Sequence, residues 1–514
     1  MEKIIKNNKI IIILLLPLVL LYIFWNTGIH GDEFFEIIKT DYIKNPNDFF
    51  KYTYQLIHSP INHLLFWWVY PVLSFENLLI YDLLKVFWHL VSIICVYKFA
   101  SDYLPNDRAF LASLLFLFYP THDTSSFCYM FVPYTVVPAV IMLCHHLYRL
   151  NKILLAYPLL LIASFASYLT PPYIIGLGLI FFLEKSFKKF FSFISVSILY
   201  LIYYFSTSII FTSTEKRIDD GLSLIKFIKH FILQIISGID VFIGPSFFLK
   251  IFWSNYSIQL ISFILSLIVI FFLSFGLKSK KTELPKQLFF GLLAVFFLSC
   301  GMFALTGYYT QIAFNLGNRV TIYGSLLVAF YLATLPFNKK YLLLIFFIFI
   351  MPIFGLSDHW KEWNKNQKNI FENIQKNQSL KQIKKDDLIL VEGNFYSKLG
   401  PFENIEFFSI PSTTNFAFKN IVESDKAMAL LSYVYIDQNK IIDGKYNTVN
   451  LIPTNNIYLY DSTNDVLKNI NKLELESIIK SNNPSKRHWV QLIKIKKFKD
   501  VSLLLSPRLE YLFE

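Results

Sequence analysis

The fold of this chain is decided by Ile10–Trp25, IIIILLLPLVLLYIFW, and by the turn that follows it, Gly31-Asp32-Glu33-Phe34-Phe35-Glu36. The first stretch carries no charge and approaches the roughly 20 apolar residues that a membrane-spanning helix needs. Lysines precede it and no small-residue cleavage motif follows it, which predicts a retained first span rather than a removed signal peptide. The turn then places three carboxylates beside the point where the chain leaves the bilayer.

The composition is that of an integral membrane protein. The chain has 514 residues, of which 54% are hydrophobic and 18% aromatic, with a net charge of +12. Most lysines occur in short clusters between apolar runs, which is typical of cytoplasmic loops and gives no support to nucleic-acid binding. Only 17 glycines are present, so we expect bulky helix packing rather than glycine seams. The four cysteines lie in or beside apolar runs and predict neither a disulfide framework nor a zinc site.

Apolar runs of spanning or near-spanning length recur along the first two thirds of the chain. They occupy about 10–26, 78–100, 109–120, 128–147, 153–169, 172–183, 190–211, 256–277, 287–306, 320–336 and 341–356. The sequence therefore predicts a mostly α, polytopic helical membrane protein with about eleven transmembrane helices. Lysine and arginine fall in every alternate connection, which predicts a cytoplasmic N-terminus and an outer C-terminus in the cytoplasmic (inner) membrane. Two apolar segments, Ile61 to Leu73 and Leu224 to Ile236, are amphipathic and are predicted to lie along the outer surface.

The composition changes abruptly after the last run. Residues 1–356 form the predicted membrane domain, and residues 357–514 are rich in Asn, Lys and Asp. Strands are predicted at 387–392, 405–410, 456–461 and 489–495, and helices at about 360–383 and 464–481. The second region is therefore expected to be a small extracytoplasmic α/β domain.

The acidic turn is the first candidate for chemistry. A pair of carboxylates such as Asp32 and Glu33 at the membrane–water interface can act as a general base, or can hold a divalent metal ion that neutralises a phosphate. The alternative is a solvated first loop.

Other polar residues fall at the predicted outer face. His122 and Asp123 lie in a turn and are able to orient a substrate, hold a metal or relay a proton, although Asp123 as a helix cap is the alternative. Arg319 begins a later span, where a guanidinium suits a phosphate or serves as an interfacial anchor. His58 lies in the first outer loop, and Tyr323 follows Arg319 by one turn. Within the second run, Lys85 and His89 share one helical face and are expected to make structural hydrogen bonds.

Several of these stretches together resemble the C-type multi-pass membrane glycosyltransferase (GT-C) superfamily, which includes protein O-mannosyltransferases and aminoarabinose transferases. The stretches are Gly31-Asp32-Glu33, Ser59-Pro60 through Phe66 with the later His89, Leu117-Phe-Tyr-Pro-Thr-His122-Asp123 and Asn318-Arg319-Val-Thr-Ile-Tyr323. The resemblance covers about residues 10–150 and, more thinly, 310–335.

The resemblance implies an inverting glycosyltransferase that moves a sugar from a polyprenyl-phosphate donor to a lipid, glycan or protein acceptor on the outer face. Asp32 would serve as base or metal ligand with Glu33 assisting, and Arg319 would hold the carrier phosphate. His122 and Asp123 would orient the donor or acceptor, with His58 and Tyr323 as further substrate-binding residues. On this interpretation the acid, imidazole and guanidinium converge in one pocket.

Three other functions stay open on the sequence alone. An O-antigen-type polymerase or ligase usually relies on several outer arginines, whereas this chain offers chiefly Arg217 and Arg319. A lipid or oligosaccharide transporter predicts an internal hydropathy repeat, and none is convincing here. The last is a membrane scaffold without catalysis.

Overall fold

The computed structural model describes residues 15–35, 37, 57–62, 78–129, 132–210, 218, 222–276, 282–307, 311–336, 339–423, 426–431, 434–438, 440–443, 448–451 and 456–481. Some predictions lie outside these residues. They concern Glu36, Arg217, the strand at 489–495 and most of the surface segment Ile61 to Leu73.

The protein is a helical membrane protein. About 70% of it is helical, and among the described residues six helical stretches are long and apolar enough to cross a bilayer. They are Leu79–Ala100, Phe187–Ile210, Leu224–Tyr256, Lys286–Thr306, Leu316–Thr334 and Leu343–Lys376. Shorter apolar helices include Leu15–Phe24, Ile153–Ala166 and Pro171–Leu183.

Each predicted apolar run contains a helix. The helices are α1 Leu15–Phe24, α2 Leu79–Ala100, α3 Asn106–Leu117, α4 Val132–Arg149, α5 Ile153–Ala166, α6 Pro171–Leu183, α7 Phe187–Ile210, α8 Leu224–Ile243, α9 Pro245–Tyr256, α10 Leu260–Gly276, α11 Lys286–Thr306, α12 Ile322–Thr334, α13 Lys339–Phe349 and α14 Met351–Lys376. Most of the helix boundaries lie close to the ends of the apolar runs, because a backbone in lipid must satisfy its own hydrogen bonds. The helix α14 is different and continues to Lys376, beyond the run predicted to end at 356.

One helix is longer than the segment predicted to lie along the outer surface. The segment predicted at Leu224 to Ile236 extends to Ile243 and continues after Gly244 as α9. Together, Leu224–Tyr256 have the length and composition of a spanning stretch. The amphipathic pattern of residues 224–236 predicts only the first half of this stretch, and the apolar residues that continue it to Tyr256 were not included in the prediction.

A close glycine contact joins α6 and α11, in a protein whose helices are expected to pack mainly through bulky side chains. A Cβ atom added to Gly291 would lie 3.1 Å from the carbonyl oxygen of Gly176, and one added to Gly176 would lie 2.5 Å from Val295. Small residues matter here because helices in lipid associate by close backbone packing rather than by the hydrophobic effect.

The described residues fall into two compact units. The first lies within Met1–Thr27 and Tyr42–His359, and the second lies within Gly28–Asp41 and Trp360–Leu503. The described part of the acidic turn, 31–35, therefore belongs with the C-terminal residues rather than with the helices that surround it in sequence.

The second unit contains three small sheets. Its strands are β1 Leu388–Glu392, β2 Tyr396–Leu399, β3 Phe402–Glu406, β4 Ala427–Ala429, β5 Val434–Asp437, β6 Lys440–Asp443, β7 Thr448–Leu451, β8 Ile457–Asp461 and β9 Val466–Ile470, with helices α15 Pro411–Phe418 and α16 Lys472–Ser481. The main sheet has the order β4-β1-β8-β9, with β1 parallel to β4 and β8 and with β8 antiparallel to β9. β5, β6 and β7 form an antiparallel sheet, and β2 pairs with β3. Leu388, Leu390, Ile457 and Leu459 belong to its buried core.

Two of the strand predictions coincide with β1 and β8, but the helix predicted at 464–481 is wrong in its first part. Residues 466–470 form β9, and the helix begins at Lys472. The reason is the turn after β8: Asp461 accepts hydrogen bonds from the backbone N–H groups of Thr463 and Asn464, which turns the chain back along β8.

Candidate functional site

A short buried turn follows α3 and carries two of the predicted site residues. Pro120 starts a 3-10 turn that ends at His122, and Thr124–Phe127 form one further helical turn. Nε2 of His122 donates to the carbonyl oxygen of Phe116 at 2.8 Å, and Nδ1 lies 3.1 Å from the Ser125 hydroxyl. Both ring nitrogens are thus used within this part of the chain, so the imidazole fixes the shape of the turn.

Asp123 is the centre of a buried polar cluster in the first unit. Its Oδ1 lies 3.0 Å from Nζ of Lys250, and neither side chain exceeds 1% exposure. Asn318 donates through Nδ2 to the same carboxylate and accepts from the backbone N–H of Thr124 at 3.3 Å. Nζ of Lys250 also lies 5.0 Å from the ring centre of Phe314. We call Asp123, Lys250 and Asn318 the buried charge cluster.

Three separate segments build this cluster. Asp123 comes from the turn after α3, Lys250 from α9, and Asn318 from the 3-10 turn Leu316–Thr321. The hydroxyl of Thr321 donates to the carbonyl oxygen of Thr121 at 3.1 Å, which joins the two turns a second time. The structure therefore brings the turn of His122 and Asp123 beside the turn that carries Arg319.

Buried charges of this kind point to function more often than to stability. Removing two charges from water costs several kcal/mol each, and their attraction offsets the cost only when geometry and hydrogen bonds are good. Ionisable groups inside a membrane protein are for that reason functional-site candidates by default. Lys250 was not predicted as a site residue from the sequence. The feature that could have identified it is its position as a single lysine within the apolar stretch Phe247–Trp253.

Arg319 and Tyr323 occupy different environments. Arg319 is half-buried, and its Nη1 donates to the carbonyl oxygen of Leu316 at 3.4 Å. Tyr323 is fully buried, stacks on Tyr173 at 4.6 Å and donates its hydroxyl to the carbonyl oxygen of Leu169 at 2.6 Å. In this geometry Tyr323 is part of the helix packing.

His58 packs against α7. Its Nδ1 lies 3.1 Å from the Thr207 hydroxyl, its ring centre lies 4.6 Å from that of Tyr204, and its carbonyl oxygen accepts from the Tyr200 hydroxyl at 2.9 Å. These contacts hold His58 against α7.

A second buried ion pair holds the other side of the turn after α3. Nζ of Lys85 lies 3.2 Å from Asp82, 2.6 Å from the Thr27 hydroxyl and 3.5 Å from the carbonyl oxygen of Phe127. His89, one turn later, donates from Nδ1 to the Lys85 carbonyl oxygen at 2.7 Å. The turn after α3 therefore contacts two buried Lys–Asp pairs: Asp123 belongs to one of them, and the Phe127 carbonyl oxygen lies beside Lys85 of the other.

An apolar cavity opens in the first unit. Apolar side chains from four parts of the chain line it: Leu15, Leu16, Val19, Leu20, Ile23, Phe110, Leu111, Leu114, Leu115, Phe118, Val269, Phe272, Leu273, Phe349, Ile350, Ile353 and Phe354. Phe349 also contacts Tyr119 at 5.3 Å and Phe247 at 5.6 Å between ring centres. Tyr119 stacks on His122, so this wall of the cavity continues into the turn that carries Asp123.

The acidic turn is held within the second unit. Oε2 of Glu33 accepts from the backbone N–H of His30 at 2.8 Å, and Glu33 is fully buried. Asp32 is half-buried and begins the helical turn that Glu33 continues. Of the two predicted carboxylates, Glu33 stabilises the turn and Asp32 is the one that solvent reaches.

No family model, curated protein or solved structure matches this chain.

The predicted residues thus separate into groups. His122, Asp123 and Arg319 lie on adjacent turns, whereas His58 and Tyr323 are fixed by other helices. Asp32 and Glu33 belong to the second unit, so their convergence with the other group stays a prediction. Within the described ranges, no three His, Cys, Asp or Glu side chains form a group able to hold a metal ion.

Proposed function

We propose that this protein is a membrane glycosyltransferase that moves a sugar from a polyprenyl-phosphate donor to an acceptor on the outer face of the cytoplasmic membrane. The proposal includes about eleven spans, an inner N-terminus and a C-terminal α/β domain outside the cytoplasm. One observation carries it: an entirely apolar cavity whose wall continues into a buried charge cluster. A donor of this class has the same two parts, a hydrocarbon tail and a phosphate.

The cavity suits the tail. Its lining belongs to α1, α3, α10 and the α13–α14 junction, and it presents side chains of Leu, Val, Ile and Phe. A hydrocarbon chain gains about 0.8 kcal/mol for each CH₂ group that leaves water, but almost nothing when it leaves lipid. Recognition of the tail therefore depends on shape, and the phosphate must supply the anchoring interaction.

Lys250 and Arg319, on neighbouring segments of the first unit, are the cations that we assign to the phosphate. Lys250 is fully buried in the charge cluster, and Arg319 is half-buried on the adjacent turn. A cation in a desolvated site stabilises charge that develops on the leaving phosphate as the glycosyl bond breaks. We assign the phosphate to Lys250 and Arg319, with Asn318 and Asp123 holding the lysine in place.

The reaction balances without a redox partner. The acceptor O–H or N–H loses its proton to the Asp32 carboxylate, and the acceptor atom forms a bond to the anomeric carbon of the sugar. The bond from that carbon to the phosphate oxygen breaks, and its electron pair stays on the carrier phosphate. Attack opposite the leaving group inverts the anomeric configuration.

The test uses the full-length protein in lipid nanodiscs with a panel of polyprenyl-phosphoryl hexoses and pentoses. Release of polyprenyl phosphate is followed by mass spectrometry. Asp32→Asn is expected to lower kcat by at least about 100-fold, because a positioned general base contributes that much or more. Glu362→Gln removes an exposed carboxylate from the same unit and is the matched control, expected to keep full activity.

The tail site is tested separately with Leu114→Trp, which fills part of the cavity. We expect a higher KM for the donor at unchanged kcat. Full activity of Asp32→Asn would remove the base from the mechanism. Failure of the wild-type protein to retain any polyprenyl phosphate in native mass spectrometry would contradict the proposed function as a whole.

A further inference from the structure

The acidic turn is held by one face of a helix that lies more than 300 residues away in sequence. The facing side chains are those of Trp360, Asn364, Gln367 and Phe371 on α14. Their spacing of three to four residues places them on a single helical stripe. All of the contacts described below lie within the second unit.

Gln367 is the polar centre of this stripe. With the side-chain amide oriented so that both of its polar atoms find partners, the nitrogen donates to the carbonyl oxygen of Ile29 at 3.2 Å. Its oxygen accepts from Nδ1 of His30 at 3.2 Å and from Nε1 of Trp363 at 3.1 Å. Gln367 is fully buried, so each of these bonds is protected from water.

Aromatic packing fixes the turn on both sides of Asp32. Before it, the ring of His30 meets Trp360 edge-on at 4.6 Å. After it, Phe34 is fully buried and contacts Phe371 at 5.7 Å and Phe416 at 5.2 Å. Asp32 therefore lies between two anchored neighbours.

The backbone of the turn requires glycine at two positions. Gly28 and Gly31 have φ angles of +91° and +60°, in the region that other residues rarely adopt. At Gly28 a side chain would also collide with Asn364, whose Cβ lies 2.8 Å from the position of an added Cβ. The chain thus approaches α14 as closely as a backbone without a side chain permits.

We infer that Gln367 is a positioning residue for Asp32, and that the C-terminal unit holds the acidic turn in place. From its position in the sequence, the turn is expected to belong to the membrane domain. The structure assigns its described residues to the second unit, where Glu33 and His30 form internal hydrogen bonds and Asp32 is half-buried. This inference rests on the proposed function for the role of Asp32, but not for the anchoring itself.

The anchoring is tested by hydrogen exchange on the full-length protein. The amides of His30, Glu33, Phe34 and Phe35 all donate hydrogen bonds within the turn and are expected to exchange slowly. Gln367→Met keeps the size of the side chain and loses all three of its hydrogen bonds, so we expect faster exchange over 29–35. Asn366→Leu alters an exposed amide on the neighbouring surface of α14 and should leave exchange there unchanged.

The positioning role is tested by kinetics on the same variants. A displacement of about 1 Å at a catalytic group costs up to about 100-fold in rate. Gln367→Met is therefore expected to lower kcat by about 10- to 100-fold with the donor KM unchanged. Gln367→Glu, which in its protonated form reproduces all three hydrogen bonds, should restore part of kcat.

The outcomes separate the two proposals. Unchanged hydrogen exchange over 29–35 in Gln367→Met would contradict the anchoring of the acidic turn by the C-terminal unit, whatever the activity of the protein. Faster exchange with unchanged kcat would overturn the positioning role of Gln367. Absence of transfer by the wild-type protein would count against the proposed function alone, because the exchange measurement needs no substrate.

Discussion

The Asp123–Lys250 pair gives the sharpest test of how the first unit is built. Its two partners come from segments more than 120 residues apart in sequence, and both are fully enclosed. The perturbation is a double-mutant cycle with Lys250→Met, Asp123→Asn and the combination of both. Methionine keeps the length of the lysine stem, and asparagine keeps the shape and the hydrogen-bonding capacity of the aspartate.

The expected magnitudes follow from burial. Lys250→Met removes the ammonium group that faces the Asp123 carboxylate and leaves the Asn318 amide as a donor to it. Loss of one partner of a buried ion pair costs about 3–5 kcal/mol, because the remaining charge is uncompensated. Asp123→Asn leaves the buried ammonium facing an amide and the Phe314 ring, with a similar cost.

The double variant should be far less damaged than the sum of the two single variants. With both charges gone, no buried ion stays unpaired, and replacement of a buried pair by neutral groups is often close to neutral for stability. We therefore expect a coupling energy of at least about 3 kcal/mol between positions 123 and 250, which is large for any pair of residues.

The assay is unfolding of the purified protein in mixed micelles, followed by intrinsic tryptophan fluorescence. Ser237→Ala, a half-buried hydroxyl in the same helical region, serves as the reference for a mild change. If the single variants each lose less than about 1 kcal/mol, or if their effects simply add in the double variant, the buried pair does not exist as described and the charge cluster loses its basis.

Two further predictions concern packing and pH. Gly291→Ala should destabilise the protein, because the added Cβ meets the Gly176 carbonyl oxygen and the Ile180 side chain. In Gly301→Ala, in the same helix, the added Cβ meets no atom nearer than 3.9 Å, so this variant should stabilise the protein by up to about 1 kcal/mol. Thermal unfolding distinguishes the two variants, and equal behaviour would contradict the close contact of α6 and α11. Glu392 ends β1 beside Asp461 of β8, and burial, followed by the Asp461 charge, raises the pKa of its carboxyl. A raised folded-state pKa favours the protonated form, so this group contributes stability at low pH and loses it as the pH rises through the folded pKa. Glu392→Gln should accordingly raise the unfolding temperature at pH 8 and have little effect at pH 4, and a gain confined to pH 4 would refute the assignment.

The helices were predictable because a helix in lipid can be recognised from its own residues alone. Each run of apolar residues must satisfy its own backbone hydrogen bonds, so length and composition identify it without knowledge of its neighbours. The helix Leu79–Ala100 matches the predicted run at 78–100 almost to the residue, although it carries Asp82, Lys85 and His89 on its buried side. Lys85 and His89 were expected to make structural hydrogen bonds, and both do so.

The charge cluster was only half predictable. Asp123 stood out because it follows His122 in a polar turn, but its partner Lys250 lies in a different segment and has no motif of its own. Pairing across such distances is a property of the tertiary structure, and no local pattern encodes it. The same argument applies to Asn318, which was noted only as the neighbour of Arg319.

The acidic turn shows the same limit more strongly. Its sequence position after the first apolar run predicts a loop of the membrane domain, and its glycines predict a tight turn. The side chains that fix it come from residues 360–416, in a region whose composition predicted a separate domain. Proximity in sequence was therefore a poor guide to which unit the carboxylate belongs to.

Under the proposed function, the charge cluster has a consequence for turnover. The phosphodiester of a lipid-linked sugar carries one negative charge, and the carrier phosphate that remains after transfer acquires part of a second charge near neutral pH. Lys250 would hold this product more strongly than the donor if it had no other partner. Asp123, at 3.0 Å from Nζ, competes for the same cation and so opposes retention of the product. A buried lysine with a built-in carboxylate is thus better suited to repeated binding and release of a phosphate than an unpaired lysine, which would bind the spent carrier and keep it.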